Sequence, residues 1–200
     1  MSAALTSTQL RSTDAEHDGI AILCSQQVAM TRSLPLPKVE RTIVAEGSYS
    51  VVEGAVDADG VHPVVELLHL LGQNMWPNPN VEELPDEYQT NQRSRLIALL
   101  ELLAEGEDLP PRSVNYLTDG IWELVVNDLR VTFYGTEGDG LLDLKEPPPR
   151  GFWTNASFEG DYASRIRVGH FFAKTGQKTL ESEIQTAIRI RDEDLAHDRD

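Results

Sequence analysis

The chain has 200 residues, 40% of them hydrophobic, which is one domain's worth of sequence with a modest core. No apolar run reaches the roughly 18 residues that a membrane-spanning helix needs, and the start lacks a basic segment followed by a long apolar one. The single cysteine, Cys24, excludes an internal disulfide and a cysteine-based metal site, so the expectation is a cytoplasmic protein with no membrane partner, no metal and no cofactor.

A formal charge of −16 argues at first against nucleic acid as a partner. The distribution is uneven, however. Residues 41–149 carry −14, while residues 150–191 carry +3 and hold Arg150, Arg165, Arg167, Lys174, Lys178, Arg189 and Arg191. An anion would go to that basic stretch.

In chain order, residues 1–40 are rich in Ser, Thr and Gln and lack sustained periodicity, so they read as a disordered or weakly ordered extension. Strand-like residues run from Thr42 to Val56, and Asp57-Ala58-Asp59-Gly60 is turn chemistry. Pro63 opens a helix with Val64, Leu67, Leu68 and Leu71 on one face, ended by Gly72. Asn74 to Glu87 reads as a loop. Thr90 is expected to cap a second helix carrying Leu96, Leu99, Leu100 and Leu103, closed by Gly106. Pro110-Pro111 lead into strands at Ile121–Val126 and Leu129–Tyr134, joined by an Asn127-Asp128 turn, with a third run at Leu141–Leu144. After an irregular stretch from Glu146 to Ser164, a strand is expected over Ile166–Phe172. A last helix is expected to be capped by Thr179, and a solvated acidic tail occupies 193–200.

Several of these segments, in this order, resemble the HigB-like branch of the RelE toxin superfamily. Leu117-Thr118-Asp119-Gly120-Ile121-Trp122-Glu123-Leu124 is similar to the family's L-x-D-G-L-W-E-L-R, and Leu129-Arg130-Val131-Thr132-Phe133-Tyr134 to its Y-R-V-x-Y-F strand. Phe172-Ala173-Lys174-Thr175-Gly176-Gln177-Lys178-Thr179 resembles F-x-K-K-x-x-K-T-P, followed by Glu183-Ile184-Gln185-Thr186-Ala187 for E-I-x-x-A. The chain departs from the pattern at Val125, Thr175 and Leu180, which replace an arginine, a lysine and a proline. Insertions lie near 72–90 and 145–164.

The resemblance implies an α+β fold over residues 41–192: two N-terminal helices packed on a mostly antiparallel sheet, then a C-terminal helix. It also implies the toxin of a type II toxin–antitoxin pair, a metal-independent endoribonuclease that cuts mRNA, often on the ribosome, and is neutralised by a helix-turn-helix antitoxin. Such cleavage uses the RNA's own 2′-hydroxyl as nucleophile. It needs a base, an acid and cations around the phosphorane-like charge.

The candidates are Arg130 as a two-pronged phosphate clamp, Lys174 and Lys178 as a phosphate seat near the last helix's N-terminus, and His170 and Tyr134 for proton transfer. Arg165, Arg167 and Arg189 are candidates for flanking RNA. Each has a structural alternative: an ion pair with Glu123 or another carboxylate for Arg130, solvated surface for the lysines, ordinary sheet positions for His170 and Tyr134, and neutralisation by nearby acids for the other arginines. Catalysis requires Arg130 to converge with the lysines without turning inward against buried carboxylates. The competing function is a non-catalytic protein of the same fold that binds the antitoxin and acts in autoregulation.

Overall fold

The structure is a computed structural model that describes residues 36–76, 86–143, 163–176 and 178–199, with the backbone alone over 86–90. It is mixed α+β, with three helices and a largely antiparallel seven-stranded sheet among these residues. The sequence reading was right at that level.

The chain opens with β1 (Ile43–Glu46) and β2 (Val51–Gly54), an antiparallel pair where one continuous strand-like region was expected. Gly47 makes the break possible, because a Cβ there would collide with the backbone of Ala104. Helix α1 (Pro63–Gly72) follows, with Pro63 in its first turn.

Helix α2 (Asp86–Glu105) starts four residues before the expected cap, so Thr90 lies inside it. Then come β3 (Val114–Thr118), β4 (Ile121–Val126), β5 (Leu129–Thr136), β6 (Leu142–Asp143), β7 (Arg165–Ala173) and α3 (Glu181–His197). The sheet order is β1-β2-β7-β5-β4-β3, with β6 paired to β5. Among the described strands, only β2 and β7 pair in parallel.

Two tight turns set the register of the middle strands. Asp119 and Gly120 both have positive φ (44° and 75°) between β3 and β4, the backbone that a two-residue hairpin favours. Asn127 (φ 57°) begins the turn between β4 and β5.

Strand alternation gives the sheet two different faces. One carries Val52, Trp122, Leu124, Val126, Leu129, Val131, Phe133, Ile166 and Val168. It packs on Val64, Leu67 and Leu71 of α1 and on Leu96, Leu99, Leu100 and Leu103 of α2. The other face is polar, with Glu53, Glu123, Arg130, Thr132, Tyr134, Thr136 and Arg167 all buried.

Helix α3 lies against this polar face and extends to His197, which corrects the expected acidic tail. Asp194, Leu195, Ala196 and His197 are buried. Thr179 does not cap α3 either: the N-cap position is Leu180, without a side-chain cap. No helix among the described residues is long and apolar enough to cross a membrane. Most of the irregular stretch from Glu146 to Ser164, and with it the expected second insertion, lies outside the described residues.

Candidate functional site

The polar face of the sheet divides into two clusters. The first lies beneath the C-terminal half of α3. Arg167, fully buried at 1% exposure, pairs with Glu53 and donates to Asp198 Oδ2 at 3.1 Å. Its Nε lies 3.6 Å from Asp194. Arg165 donates to Glu53 at 3.1 Å, and Arg41 pairs with Asp194 and with Asp198 (2.7 Å).

Three arginines thus meet three carboxylates, and the cluster is neutral as a whole. Two expected RNA-binding residues are held here: Arg167, because a buried guanidinium is tolerated only when paired, and the part-exposed Arg165, through its ion pair with Glu53. Asp194 also accepts the Tyr134 hydroxyl at 2.6 Å and the Val56 amide at 2.7 Å. Burial and the Asp194 carboxylate push the Tyr134 hydroxyl well above the ordinary tyrosine range. The Tyr134 hydroxyl, where the sequence suggested proton transfer, is buried and donates to Asp194 within this cluster.

The second cluster is built by the ends of β3, β4, β5 and β7 with the first turn of α3. Pairing places Asn115 opposite Glu123 and Glu123 opposite Thr132 in one row across the sheet. Asn115 Nδ2 donates to Glu123 Oε1 at 2.9 Å, and Thr179 Oγ1 lies 3.5 Å from Glu123 Oε2.

Arg130 faces inward. Its Nη1 donates to the carbonyls of Asn127 (2.8 Å) and Leu129 (2.9 Å), and its Nε sits 3.6 Å from Glu123. Burial lowers its pKa, against the opposing charges of Glu123 and Asp128. Two of its donors serve the β4–β5 turn and a third faces a buried carboxylate. In this arrangement Arg130 is a structural ion pair, the alternative the sequence left open, and not a phosphate clamp.

The residues beside it remain accessible. His170 Nε2 lies 2.6 Å from Glu183 Oε2, with side-chain exposures of 17% and 29%. The imidazole stacks on Phe172 at 5.6 Å between ring centroids. Burial lowers the His170 pKa, partly offset by the hydrogen bond and charge of Glu183, which favours the neutral ring. It therefore has the chemistry of a proton acceptor oriented by a carboxylate.

Lys174 follows β7, its backbone amide bound to the Asp128 carbonyl at 2.8 Å, and Lys178 is exposed two residues before the N-cap of α3. Four expected site residues (Arg130, His170, Lys174, Lys178) thus belong to this end of the sheet. Arg189 forms an i,i+4 pair with Glu193 on an exposed face of α3, at 2.9 Å, and its charge helps to lower the His170 pKa.

Sequence reasoning assigned no role to Glu183, Asn115, Arg41 or Glu53. Glu183 stood inside the E-I-x-x-A match, and its spacing from His170 could have suggested a pair across the strand–helix junction. Among the described residues, no group of three or more His, Cys, Asp or Glu is arranged to hold a metal ion. No family model matches the chain, and no curated protein matches it at a significant level.

Proposed function

We propose that the chain has a RelE-like arrangement and is the toxin of a type II toxin–antitoxin pair, a metal-independent endoribonuclease acting on mRNA. The observation that carries this reading is the half-open His170–Glu183 pair, which joins β7 to α3 across the segment that also carries Lys174 and Lys178. His170, oriented by Glu183, takes the proton of the 2′-hydroxyl, whose oxygen attacks the adjacent phosphorus as the bond to the 5′-oxygen breaks. The 5′-oxygen leaves with a proton from solvent, and a 2′,3′-cyclic phosphate remains. The lysines face the charge that builds on the phosphate, and the amides at the N-terminus of α3 add to them. The inward Arg130 removes the clamp that the sequence required for catalysis, so this reading stands on His170, Glu183 and the lysines alone. Arg130 instead fixes the β4–β5 turn that binds the Lys174 amide. RNA fits better than DNA because the chemistry uses the 2′-hydroxyl.

A second reading is a non-catalytic protein of this fold that binds a helix-turn-helix antitoxin and regulates the pair's own promoter. The inward, paired state of Arg130 favours it, since it leaves a catalytic centre with fewer cations.

Expression of the chain alone, with growth and mRNA ends followed by primer extension, separates the two. Under the first reading growth stops and transcripts are cut. The purified protein also cuts RNA in the presence of EDTA, and His170→Gln with Lys174→Ala and Lys178→Ala relieves the arrest. Undiminished toxicity in that triple variant removes the site. Normal growth with intact RNA, together with capture of a helix-turn-helix partner, establishes the second reading instead.

A further inference from the structure

The segment just before β1 is bound to the far end of the chain. The Leu36 amide donates to the Ala196 carbonyl at 3.0 Å, and the Pro37 carbonyl lies 2.6 Å from His197 Nδ1. Arg41 bonds the Asp194 side chain, the Asp194 carbonyl (3.2 Å) and the Asp198 carboxylate (2.7 Å). All of these contacts fall on the last turns of α3.

What lies beneath α3 is mostly polar. The apolar cluster between helix and sheet has four buried members, Ile190 and Leu195 of α3 with Ala55 and Tyr134 beneath them, whereas the core on the opposite face of the sheet has twenty. Apolar burial is what ties an element into the cooperative core, and a helix docked through few such contacts opens more readily than the strands it covers.

From these observations we infer that residues 36–41 are a strap that sets the docking of α3, and that strap and helix form a layer opening separately from the rest of the domain. The consequence reaches the other end of the helix. Glu183, which orients His170, stands eleven residues before Asp194, about three turns along a stiff rod. Loosening the strap therefore lifts Glu183 from His170 without any change in the sheet. A partner that grips residues 36–41 would act on the pair through α3. The inference does not rest on the ribonuclease reading, because it concerns the order of opening alone.

Hydrogen exchange followed by mass spectrometry on the full chain tests it. In the unaltered protein, amides of α3 should exchange through smaller openings than those of β4 and β5. Arg41→Ala removes charge-assisted bonds and should speed exchange over Glu181–His197 by about 10- to 100-fold, with β4 and β5 unchanged. Arg41→Lys should recover part of the protection. Unchanged α3 exchange in Arg41→Ala, or an equal rise in β4 and β5, overturns the inference. If Arg41→Ala does not fold, the unaltered protein decides: equal opening of α3 and the central strands overturns it.

Discussion

Truncating Arg130 to alanine should unfold the domain more readily rather than change its chemistry directly. The guanidinium is 9% exposed and faces Glu123, which is 2% exposed, so the substitution strands a buried carboxylate that keeps, among the described residues, Asn115 and the distant Thr179 hydroxyl. Breaking a buried pair from one side typically costs about 3–5 kcal/mol, because the remaining charge is uncompensated. Native domains have only about 5–15 kcal/mol in total, so the loss should be plain in a urea titration.

Trp122, buried in the core, gives a fluorescence signal for the transition. The double variant Arg130→Met with Glu123→Leu removes both charges and should recover most of the loss, since apolar replacement of a buried pair is often close to neutral. An Arg130→Ala protein within about 0.5 kcal/mol of the parent, the range typical of surface positions, would show that the side chain is not held as described. So would a double variant no better than the single one.

Tyr134→Phe leaves buried Asp194 without one donor and should cost about 1–3 kcal/mol in the same titration, with any RNA cleavage per folded molecule unchanged. His170 has a depressed pKa in the folded state, so the folded protein binds fewer protons there than the unfolded chain does. Its contribution is complete above the ordinary histidine value of about 6.5 and declines as pH falls below it. Unfolding titrations of the parent and His170→Gln at several pH values should therefore diverge only on the acid side. Gly120→Ala imposes a side chain on a φ of 75° and should cost about 1 kcal/mol, read as a shift in thermal midpoint.

The helices α1 and α2 and the strands β4, β5 and β7 were legible because each carries a strong local pattern. Leucines recur at helical spacing, and apolar runs are bounded by turn residues. β3 escaped because Val114-Asn115-Tyr116-Leu117-Thr118 is short and half polar, although the Asp119-Gly120 dipeptide after it is a strong hairpin signal. The end of α3 escaped because Asp192, Glu193, Asp194 and Asp198 look solvated in one dimension. Only the fold sets Asp194 against Arg41, Arg167 and Tyr134. The same limit applied to the site. A basic stretch in sequence is not a basic surface, since carboxylates more than a hundred residues away can neutralise it, as Glu53 does for Arg165 and Arg167.

The parallel pairing of β2 with β7 also bears on how the domain assembles. Val51–Gly54 bond to Arg165–Val168, so one row of the sheet joins residues separated by most of the domain. As the chain emerges during synthesis, β1 and β2 must wait beside an open edge until β7 arrives, and β5 has an open edge for the same interval. Contacts this distant slow folding, and exposed strand edges invite pairing with other chains. A fragment ending before Arg165 should therefore associate with itself, which makes the final strand and helix the step that completes the sheet.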